Sequence, residues 1–125
     1  MMTKLEQLIM QFRSEVGSDF VSTDVVGMDG LSIAGGSINP NFDSNMAAAR
    51  FAMVMKLAGK ITDKLPLGAV EDNLVTTDSY YLLSRFLDDG SFFWIVAVTR
   101  EATLGAVRML MNEYAPQLSN AIPHA

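Results

Sequence analysis

The sequence predicts an α/β chain of the α+β type: a five-stranded antiparallel sheet in a three-layer α–β–α sandwich, with one long helix on one face and two helices on the other. Three observations lead there. Apolar residues recur at helical spacing in three separate segments. Short runs rich in β-branched and aromatic residues are twice joined by an Asp-Gly pair, the signature of a tight antiparallel hairpin. Two of those runs are apolar on both alternating faces, so helices must cover both sides of the sheet.

The first helix is expected from Thr3 to Val16, because Leu5, Leu8, Ile9, Phe12 and Val16 fall on one helical face and Gly17 supplies a stop. Asp19 to Val26 then reads as a strand and Leu31 to Ala34 as its partner, with Gly27-Met28-Asp29-Gly30 as the turn. The run Gly35-Gly36-Ser37-Ile38-Asn39-Pro40 is expected to break the second strand. A long helix follows from Phe42 to Leu65, capped by Asn41 or Asp43 and ended by Pro66 and Gly68. Three more strands are expected at Ala69–Thr76, Ser79–Leu87 and Ser91–Thr99, with Asp88-Asp89-Gly90 as the turn between the last two. The closing helix should begin at Glu101 and run to about Leu118, broken near Pro116. Tyr80-Tyr81-Leu82-Leu83 and Phe92 to Val98 are the central strands. Val70-Glu71-Asp72-Asn73-Leu74-Val75, with charges in its run, reads as an edge.

Composition narrows the function classes. Half of the 125 residues are apolar and 18% are charged, so the chain can bury a core and leave apolar surface for a partner. A net charge of −5 argues against nucleic acid as a partner, since phosphate binding needs a concentrated basic face. There is no cysteine, which removes thiol catalysis, disulfides and cysteine metal sites. The start of the chain does not read as a signal peptide and no apolar stretch reaches membrane length, so a cytoplasmic protein without membrane insertion is expected.

No catalytic, metal or cofactor site is expected. The single histidine, His124, lies in the C-terminal tail, and Asp29, Asp88 and Asp89 sit in turns. Glu101 and Asp43 suit first helical turns. The glycines of Gly27–Gly30 and Gly35-Gly36 lack both the Gly-Lys-Ser/Thr of a phosphate loop and the dinucleotide-binding fingerprint. The reading is of a protein that is not an enzyme.

The long helix carries the most information. Ala47, Phe51, Val54, Ala58, Ile61 and Leu65 share one face, which is expected to pack on the sheet. A flank of Ala48, Ala52, Met55 and Gly59 lies beside it, small and apolar. It is covered either within the monomer or by the same helix of a second copy, and two-fold symmetry favours such a self-complementary stripe. Lys56, Lys60 and Lys64 form a row that is either a solvated face or a docking surface for an acidic partner.

With these segments in place, the chain resembles the roadblock / dynein light-chain domain family over nearly its whole length, 1–125, as one domain. The resemblance rests on Val26-Gly27-Met28-Asp29-Gly30-Leu31-Ser32-Ile33-Ala34, on Met46-Ala47-Ala48-Ala49, on Tyr80-Tyr81-Leu82-Leu83, and on Ala102-Thr103-Leu104-Gly105-Ala106-Val107-Arg108. It implies homodimers in which the third strands pair edge to edge and the second helices lie side by side. Here that would use Val70, Asp72 and Leu74 together with Ala48, Ala52, Met55 and Gly59. It also implies a non-catalytic regulator or scaffold that binds a Ras-like small GTPase. Gly105 and Arg108 are expected to serve packing and capping. The Gly35–Pro40 connector departs from the acidic one common in such domains. Two other readings remain open: a dynein light-chain-like adaptor, or a small-molecule sensor with Met46, Met53, Tyr80, Tyr81 and Trp94 around a pocket.

Overall fold

The computed structural model describes residues 1–38 and 44–123, with only the backbone of residues 44 and 45. The elements are α1 (Lys4–Val16), a 3-10 turn (Gly17–Asp19), β1 (Phe20–Gly27), β2 (Ser32–Ser37), α2 (Ser44–Lys64), β3 (Asn73–Thr76), β4 (Tyr80–Leu87), β5 (Phe92–Thr99) and α3 (Leu104–Ala121). The strands form one five-stranded sheet in the order β2-β1-β5-β4-β3, and every neighbouring pair is antiparallel. This is the expected α+β sandwich.

Local chemistry fixes the elements. Thr3 caps α1: its hydroxyl accepts the Glu6 N–H, and the Glu6 carboxylate accepts the Thr3 N–H in return. In the first hairpin Asp29 Oδ1 accepts the Leu31 N–H and Gly27 N–H bonds Leu31 C=O, while Gly30 takes φ +89°. Asp89 makes the matching turn at the second hairpin, accepting the Ser91 N–H.

Two cores lie on opposite faces of the sheet. On one face α1 and α3 pack over Val25, Leu83, Leu87, Trp94, Val96 and Val98. Phe12 of α1 meets Trp94 and Tyr114 edge-on there, at centroid distances of 4.8 and 5.5 Å. Thr23 ties two strands beneath: it accepts the Trp94 Nε1–H at 2.7 Å and donates to Ile95 C=O at 2.9 Å. The other face is smaller, with α2 packed on Val26, Phe93 and Ile95.

Several boundaries differ from the sequence reading. β2 does not stop at Ala34 but continues through Gly35 and Gly36 to Ser37, paired to Thr23 and Asp24. Glycines are tolerated there because the strand is an edge with a single neighbour. β3 is shorter than expected, so Val70 and Asp72 precede it. α3 starts at Leu104, leaving Glu101 outside the helix, and it runs through Pro116 to Ala121. The lost hydrogen bond at Pro116 is offset by burial of Ala115, Leu118 and Ile122 on the core side. The expected caps Asn41 and Asp43, and His124, lie outside the described residues.

Candidate interaction surface

Helix α2 is turned differently from the sequence reading. Ala48, Ala52 and Met55 are at most 3% exposed and face the sheet. Gly59 continues this line, and a Cβ there would stand 3.7 Å from Phe86. The Met55 thioether also accepts a hydrogen bond from the buried Ser84 hydroxyl at 3.2 Å. The flank of small residues is therefore the core face, covered within the monomer. Its side chains are small because a helix can approach a sheet closely only where little protrudes.

The residues expected in the core point elsewhere. Val54, Ile61 and Leu65 are 41%, 50% and 48% exposed, while Ala47, Phe51 and Ala58 are half-buried at the margin. Met53 and Leu57 are more exposed still, at 71% and 60%. Met53, Val54, Leu57 and Ile61 thus form an apolar ridge along the outward side of α2. Lys56, Lys60 and Lys64 are all exposed on the same helix. Met53 and Leu57 are legible in the sequence as a second apolar flank of the helix, but Val54 and Ile61 are assigned to the core although 54, 57 and 61 repeat at the spacing of a helix-pairing seam. Size misleads the sequence reading, assigning these large outer residues to the core and the small inner ones to the interface.

The remaining interface candidates are also engaged within the chain. Leu74 packs against the α1–α3 core. Asp72 receives a two-pronged contact from Arg108 of α3, at 2.9 and 3.1 Å. Arg108 thus ties α3 to the segment before β3 through an ion pair, in place of the packing and capping expected of it. Val70, half-buried, borders an open groove with Gly59, Asp63, Asp88 and Asp89. β3 itself remains an edge strand, with β4 as its one neighbour.

The residues suggested for a small-molecule pocket are not brought together. Trp94 is fully buried in the α1–α3 core, and Tyr81 lies under the Arg100 guanidinium, 4.9 Å from its ring centre. Met53 projects outward from α2. The groups needed for one cavity fall on opposite sides of the sheet. Among the described residues no group of acidic or histidine side chains has metal-binding geometry. Nor is any described helix long and apolar enough to cross a membrane. Burial raises two titratable groups. Asp24 is pushed up to about 6, opposed by a hydrogen bond from Ser32, and Tyr114 is raised by burial and then by Glu15.

Comparison with solved structures places this architecture. Myxococcus xanthus MglB superposes with a TM-score of 0.85 at 14% identity, over 94% of each chain. A Roadblock/LC7 domain from Streptomyces avermitilis gives 0.75 at 20% identity, over 90% of this chain and 96% of that one. The fold is that of the roadblock domain. The gliding protein MglB of Thermus thermophilus aligns as well, with a TM-score of 0.82 at 12% identity, over 94% and 87% of the two chains. No family model and no curated protein matches the sequence. At these identities the roadblock likeness is one of backbone.

Proposed function

We propose that this chain is a single roadblock-like domain, 1–125, that acts in the cytoplasm as a non-catalytic homodimeric regulator or scaffold and binds a Ras-like small GTPase. The observation that carries the dimer is the exposed apolar ridge Met53, Val54, Leu57 and Ile61 on α2. An apolar strip of this kind on a helix is stable in water when a second surface covers it. In an isologous pair the ridge would lie against its own copy. The edge strand β3 would extend the contact through its unpaired backbone groups. This moves the interface from the Ala48/Ala52/Met55 side to the outer side of the same helix. The sequence resemblance and the roadblock fold support the GTPase partner. The exposed Lys56, Lys60 and Lys64 supply a contact for an acidic surface on it.

The experiment is size-exclusion chromatography with light scattering, followed by capture of small GTPases loaded with a GTP analogue or GDP. The wild-type chain should run as a dimer, and the Leu57→Glu/Ile61→Glu variant as a folded monomer that keeps a cooperative melting transition, lowered only by the loss of the partner's contribution. A wild-type monomer, or a variant that stays dimeric, sinks the interface. Failure to retain any Ras-like GTPase in either nucleotide state sinks the partner.

A further inference from the structure

One buried ionisable group has no part in the interface. Asp24 is 5% exposed and sits on β1 between Ser22 and Val26, on the side of the sheet that carries α2. The backbone of β2 closes one side of it. Gly35 is paired directly opposite, and a Cβ there would stand 2.6 Å from Asp24 Oδ1 and 2.7 Å from its Cα. A bulge makes the remaining contact. Val25 pairs with Ala34 but Val26 pairs with Ser32, so Ile33 is an extra residue. Ser32 is thereby re-aimed, and its hydroxyl donates to Asp24 Oδ1 at 2.8 Å.

No opposite charge faces this carboxylate among the described residues. β2 and β5, the strands on either side, carry no titratable side chain, and Asp24 is the one such residue of β1. α2 presents Ala48, Ala52 and Met55 to the sheet, while its Arg50, Lys56, Lys60, Asp63 and Lys64 are exposed. α1 packs on the opposite face, and its Lys4, Glu6, Arg13 and Glu15 are exposed.

We propose that the β1–β2 pair is a proton-sensitive latch, in which ionisation of Asp24 loosens the edge strand β2 and protonation fastens it. β2 has one neighbouring strand, so its departure uncovers the carboxylate while breaking only one ladder of the sheet, together with its contacts to α1 and α2. The folded chain raises Asp24 from 3.8 to about 6 through burial, so it binds the proton more tightly than the opened one. Latching is therefore complete below the lower value, weakens as pH rises between the two, and stays at its loosest above the upper one.

Amide hydrogen exchange of the full chain tests this, corrected for intrinsic rates. Residues 34–36 should open about tenfold less often at pH 5 than at pH 7.5, a factor that follows from the two titration points. Amides of β4 should not follow. Asp24→Asn, neutral at both pH values, should abolish the response. A wild-type response below about twofold, or an equal response in Asp24→Asn, overturns the latch. Should that variant fail to fold, Ser32→Ala decides. Losing the hydrogen bond that favours the ionised form must move the midpoint upward, and an unmoved midpoint overturns the proposal.

Discussion

Gly35 holds φ +142° on an edge strand, directly across from Asp24. A methyl group there would strike Asp24 and the Thr23 carbonyl oxygen, which are backbone and a buried side chain with no room to yield. Gly35→Ala is expected to cost about 2–4 kcal/mol in a urea unfolding curve. Gly36→Ala, with open space around it, should cost under about 1 kcal/mol. Equal effects would show that the close approach does not govern this strand. Thr23 offers a second test, since its hydroxyl both accepts from Trp94 and donates to Ile95. Thr23→Val leaves a buried indole N–H without its acceptor, and should cost about 1–3 kcal/mol by the same measurement.

Helix α2 behaves as a lever with a small inner side and a large outer one. Ala52 is 3% exposed against Phe93 and Ile95, so Ala52→Glu drives a charge into a closed interface. A loss of about 4 kcal/mol or more is expected, seen as a collapse of the melting transition. Substitutions at Leu57 and Ile61 on the outer side should leave the monomer fold intact, with a cooperative transition, while altering assembly. The opposite pattern, a tolerated Ala52→Glu, would return the interface to the inner flank. α3 shows how packing overrides a breaker: Pro116 is exposed, and the helix continues because Leu118 and Ile122 are buried beyond it. Propensity alone puts the cost of an interior proline at about 3 kcal/mol, which burial of two large aliphatic side chains can offset.

The two faces of the sheet are unequally secured. The α1–α3 side joins both terminal helices to β1, β4 and β5 through a large continuous core, whereas α2 is held by three buried residues and a few half-buried ones. Local opening follows buried contact, so α2 should exchange its amides faster than α1 and α3 at low protein concentration. Raising the concentration should slow α2 selectively if the second copy covers its outer ridge. Uniform exchange at all concentrations would remove both expectations. The least secured helix is thus the one that carries the proposed dimer surface.

What the sequence determined by itself is periodic or local. The five strands, the order of elements, both Asp-Gly turns and the absence of thiol chemistry follow from spacing and turn chemistry in short windows. The core strands were legible because Phe92 to Val98 is apolar on both faces, which no half-exposed strand tolerates. Other features depended on residues far apart in the chain. The rotation of α2 was hidden because nearly its whole circumference is apolar, so hydrophobicity could not rank its faces; only the closeness of the sheet selects Ala48, Ala52 and Met55 for the inside. The run of β2 through Gly35 and Gly36 was hidden because it is set by pairing to Asp24, not by strand propensity. The candidate surface thus lay on the helix that the sequence pointed to, and the tertiary structure decided which side of it meets the solvent.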